Sequence, residues 1–63
     1  MIKFIKSYEL YNTTYYEVIY TSGIIHTYSE ERMPMTANAF LEFKTPIKQY
    51  NKVFKRDEYI YKR

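Results

Sequence analysis

Cysteine is absent from this chain, glycine occurs once, at Gly23, and proline only at Pro34 and Pro46. Without cysteine there is no disulfide, no thiolate zinc site and no thiol nucleophile. The single histidine, His26, cannot gather a metal cluster from scattered carboxylates. Neither a metal nor a cofactor is therefore expected. No apolar run approaches the ~20 residues that cross a bilayer, so no membrane partner is expected. The opening stretch MIKFIKSYEL carries charges inside its apolar residues and has no small-residue cleavage site, unlike a signal peptide. The expected location is the cytoplasm.

What is present is aromatic and basic. Among 63 residues there are 9 tyrosines and 4 phenylalanines, with a formal net charge of +3. That length allows one small domain over residues 1–63. A chain of this size buries only roughly 60% of its unfolded surface, so its core is thin. Tyrosine, lysine, isoleucine and asparagine have AT-rich codons, so an AT-rich genome would account for their number but not for their positions.

Ile2 to Tyr11 alternates with a period of two, placing Ile2, Phe4, Tyr8 and Leu10 on one side with Lys6 as the exception. Tyr15 to Thr21 is aromatic and β-branched, which suits a strand. Ser22-Gly23 marks a tight turn, and Ile24 to Ser29 returns as a third strand. A three-residue turn at Asn12 to Thr14 would set Leu10 opposite Tyr16 and Tyr8 opposite Val18. A two-residue turn at Ser22-Gly23 would set Val18 opposite Thr27. Together they predict a core face of Phe4, Tyr8, Leu10, Tyr16, Val18, Tyr20 and Ile25. They also place Glu9 against Glu17, a like-charge cost.

The second half reads as helical. Thr36 is placed to cap ANAFLEFK, in which Ala37, Phe40, Leu41 and Lys44 share a side. Thr45 and Pro46 form a helix-start signal for a second segment in which Ile47, Tyr50 and Phe54 recur at helical spacing. The final DEYIYKR alternates and offers a fourth strand through Tyr59 and Tyr61. The expected fold class is α+β: a three- or four-stranded antiparallel β-meander packed against one or two short C-terminal helices.

Two surfaces remain once that core is built. The sheet's second face would hold Tyr11, Tyr15, Ile19, His26 and Tyr28, too apolar for water unless a helix covers it. Tyrosines suit a surface that is dry in a complex and tolerable in water beforehand. Such a face fits a host protein and also admits a homodimer. The second surface is basic: from Lys44 onward seven cations face two carboxylates. Lys48, Lys52 and Lys55 would form one helical stripe, with Arg56 beside them. A stripe of this kind is most often a solvated helix side; its functional reading is an anionic partner, nucleic acid included.

Catalysis finds little footing. Ser22 and Ser29 flank His26 without an orienting acid, and Glu17 offers at best a shared strand face. No catalytic residue is assigned, and an enzyme is not expected. The size, the cysteine-free Lys/Ile/Tyr-rich composition and the lack of enzyme motifs resemble small accessory proteins of phages and mobile elements. That resemblance implies a stoichiometric binding protein docking on a host protein, an inhibitor of the anti-defence, anti-CRISPR-like kind. The alternative is nucleic-acid binding through the basic residues and sheet tyrosines.

Overall fold

A computed structural model describes residues 1–63 throughout. The elements in chain order are β1 (Ile2–Leu10), β2 (Thr13–Tyr20), β3 (Ile25–Ser29), a 3-10 turn (Glu30–Arg32), α1 (Met35–Leu41), β4 (Ile47–Asn51) and β5 (Arg56–Lys62). The five strands form one sheet in the order β3-β2-β1-β5-β4, and every neighbouring pair is antiparallel. The α+β class is as expected and the single α-helix is within the one or two anticipated, but the sheet has one strand more than expected, its order is not a simple meander, and the helix lies between β3 and β4 instead of at the C-terminus.

The missing helix is the second one. Residues 47–51 are a strand, residues 52–55 a turn, and the chain returns as β5. Asn51 explains the switch. Its Oδ1 accepts hydrogen bonds from the backbone N–H groups of Val53 and Phe54, at 3.0 and 3.1 Å. That side chain captures the backbone in a local turn, which competes with helix propagation. Lys55 then takes φ 54° to close the hairpin.

The first turn also differs from expectation. Tyr11 and Asn12 both have positive φ, 49° and 63°, so Leu10 pairs with Thr13 and Tyr8 with Tyr15. Two consecutive left-handed residues make the type I′ geometry that fits strand twist. The reward is electrostatic: Lys6 faces Glu17, and Glu9 faces Thr14 instead of Glu17. At the second turn Gly23 does take positive φ, 93°, but the loop is one residue longer. The Tyr20 N–H donates to the Ile24 carbonyl at 2.9 Å, which sets Val18 opposite His26. Both turns depart from the expected register by an odd number of residues, and an odd slip exchanges the faces of a strand.

The core therefore centres on Ile5, not Phe4. Ile2, Ile5, Val18 and Ala37 are its buried apolar members, with Phe40, Leu41, Met33, Tyr16, Tyr28 and Tyr61 packed around them. Ala37 is the one fully buried side chain of α1, small enough for the helix to sit close on Ile5 and Val18. Helix and sheet meet on this side only. Pro34, not Thr36, occupies the N-cap, and no side chain caps it. The helix ends as Phe43 enters the left-handed region at φ 63°.

Candidate functional site

The face of the sheet turned away from α1 is the uncovered one. Cross-strand partners share a face, so the register assigns to it Phe4, Lys6 and Tyr8 of β1; Tyr15, Glu17 and Ile19 of β2; and Arg56, Glu58, Ile60 and Lys62 of β5. Ile25 and Thr27 extend it on β3, and Ile47, Gln49 and Asn51 on β4.

Its centre is a closed set of charges. Glu58, only 4% exposed, receives Lys6 Nζ at 3.6 Å on one oxygen. Its other oxygen accepts Arg56 Nε at 2.9 Å and Asn51 Nδ2 at 3.1 Å. Lys6 also reaches Glu17 at 3.8 Å. A carboxylate this deep needs such partners, because an unpaired buried charge is expensive.

Around the charges lie rings. The Arg56 guanidinium sits 3.6 Å from the Tyr8 ring centroid and 4.6 Å from that of Phe54. Tyr8 stacks in turn on Tyr15, with centroids 6.0 Å apart. Phe54, Arg56, Tyr8 and Tyr15 thus form one ladder across three strands and a turn. Burial raises the Tyr8 phenol pKa, and the neighbouring Glu17 carboxylate raises it further. Towards the other end of the face lie Phe4, Ile19, Ile25, Ile47 and Ile60. A shallow hollow of about 410 Å³ opens beside Phe4, Lys6, Glu58 and Ile60.

The residues expected to form a single docking face divide between two. Tyr15 and Ile19 lie on the uncovered face as anticipated. His26 and Tyr28 lie on the helix side, because Val18 faces His26 and Tyr16 faces Tyr28. There His26 stacks on Tyr28 at 6.1 Å and meets Tyr20 edge-on at 5.7 Å. Its Nδ1 is 3.4 Å from the Tyr28 hydroxyl. His26 and Glu17 do not share a face, which removes the one acid–base pairing considered. Tyr11 stands at the β1–β2 turn, 90% exposed.

The basic stripe is dispersed with the helix that was to carry it. Lys48 is on β4 and pairs with Asp57 at 3.7 Å. Lys52 and Lys55 are in the β4–β5 turn. Arg56 belongs to the ring ladder. Between the two lysines the turn exposes Val53 and Phe54, 84% and 64% accessible. Lys6 and Glu58 escaped the sequence reading, although opposite charges at Lys6 and Glu17 would have selected the observed β1–β2 register.

No group of three or more His, Asp or Glu side chains is arranged to hold a metal ion. No helix is long and apolar enough to cross a membrane. Comparisons with family models, curated proteins and solved structures find no match for this chain.

Proposed function

We propose that this is a non-enzymatic binding protein that docks on another protein through the uncovered sheet face. In this reading it acts stoichiometrically, as a phage or mobile-element inhibitor of a host protein in the bacterial cytoplasm, without a cofactor. The observation that carries it is the composition of that face: rings and isoleucines surround charges that already neutralise one another. A partner can cover such a surface without supplying counter-charges, and aromatic and Arg anchors are what protein interfaces concentrate.

Nucleic acid fits the same face less well. Lys6 and Arg56 are committed to carboxylates, and Glu17 and Glu58 lie among the rings. Phosphate binding needs cations that exchange counterions; Lys62 at the far end of the face and Lys52 and Lys55 beside Phe54 offer that, apart from one another and away from the ring ladder's paired centre.

The test is a photo-crosslinking amino acid placed at Tyr15 or, separately, at His26, in cells of the native source. One adduct of 1:1 stoichiometry with a protein other than this chain from position 15, weak or absent from position 26, is the expected outcome. Ile47→Asp, at a side chain 56% exposed, should reduce that adduct while leaving the circular dichroism unchanged. Equal labelling from both faces, or labelling of nucleic acid alone, would overturn the proposal.

A further inference from the structure

The sheet has two edges, β3 and β4, each five residues long. Their sequences share a pattern: Ile25-His26-Thr27-Tyr28-Ser29 and Ile47-Lys48-Gln49-Tyr50-Asn51. They differ in protection. β4 has a lysine at its second position and a proline immediately before it, two devices that discourage edge pairing. β3 contains neither a proline nor a lysine, arginine, aspartate or glutamate, and Ile25 is 59% exposed. An open edge of that kind presents unpaired backbone groups to any extended strand.

We infer that β3 pairs antiparallel with β3 of a second copy of this chain, about a two-fold axis through Thr27. This register uses all five residues of each strand. Thr27 meets its own copy, His26 meets Tyr28 of the other copy, and Ile25 meets Ser29. No like charges face each other. Threonine pairs and aromatic pairs are favourable across antiparallel strands, and the His26–Tyr28 contact lengthens the ladder that Tyr20, His26 and Tyr28 already form. Moving the axis to His26 would oppose two histidines and shorten the pairing.

The two-fold geometry closes on itself, because each copy spends its only unguarded edge. The guarded β4 edges remain outermost, so assembly stops at ten strands. Both uncovered faces then lie side by side on one continuous sheet.

The absence of cysteine makes the test direct. In Thr27→Cys, the only available protein disulfide is to another copy. Cross-strand Cβ atoms about 4.5–5.5 Å apart lie near disulfide reach. Mild oxidation of this variant should give a covalent dimer. Gln49→Cys, at the matching position of β4, should stay monomeric under the same conditions. Thr27→Lys places two cations together at the axis, yet within one chain it gives Glu17 a cross-strand partner. Its fold should therefore persist while its sedimentation mass falls from twice 7.8 kDa to that of one chain. A wild-type protein that sediments as one chain at hundreds of micromolar would overturn the inference. So would Gln49→Cys oxidising as readily as Thr27→Cys, or Thr27→Lys remaining dimeric.

Discussion

On its helix side the sheet is closed by hydrocarbon; on its other side four charges occupy the centre. Ile5 and Val18 face Ala37 with no accessible surface left. Directly behind them, one residue along β1 and β2, Lys6 and Glu17 pair, and Lys6 also reaches Glu58 of β5. A seven-residue helix can cover one face of five strands but not both. The difference shows how a chain this short distributes its stability. Apolar burial is concentrated where the helix reaches, and ion pairing holds the strands where it does not. The apolar periphery of the second face is left unspent, which is why that face is the candidate for docking.

Cutting into each side separately sharpens the contrast. Val18→Ala should have the largest effect, about 2–3 kcal/mol, from lost transfer energy and the cavity left behind. Against a total stability of roughly 3–9 kcal/mol for a domain of this size, urea denaturation should show a large fall in midpoint. Glu58→Gln should have a smaller effect, about 1–2 kcal/mol. The amide keeps the shape but leaves Arg56 without its counter-charge and Lys6 with Glu17 alone, and both cations retain some solvent to soften the loss. If Glu58→Gln destabilised as much as Val18→Ala in the same titration, the division of labour between the faces would be wrong.

The division was only partly legible beforehand. α1 was legible because Ala37, Phe40 and Leu41 recur on one side after Pro34. The strand character of the first thirty residues was legible from alternation, and the second turn from the lone glycine. Register was not, because it depends on Tyr11 and Asn12 adopting positive φ. Asparagine tolerates that conformation; tyrosine seldom does, so NTT looked the better turn. Once the register slipped by an odd number, Tyr15 and Ile19 remained on the uncovered face while His26 and Tyr28 left it. β4 was hidden differently. Ile47, Tyr50 and Phe54 satisfy helical spacing, but the Asn51 side chain bonds two backbone N–H groups ahead of it and the segment pairs with β5.

The tyrosines give the smallest and most discriminating measurement, because the two faces should both respond to alkali. Burial holds the phenol of Tyr8 on the uncovered face above its ordinary pKa of 10.0. Burial does the same for Tyr16 against the core, helped by Tyr61 and Glu30. A folded-state pKa above the unfolded value means the native state binds the proton more tightly. That contribution is fully present below pH 10 and is lost as pH rises through the folded values. Stability measured by urea should therefore be flat up to about pH 10 and decline above it. Tyr16→Phe and Tyr8→Phe should each flatten the decline, since neither ring then has a proton to lose. A decline that begins well below pH 10, or that survives both substitutions together, would assign the alkaline weakness to other groups. If Tyr8→Phe alone left the slope unchanged, the uncovered face would have to be wetter than its paired charges and stacked rings imply.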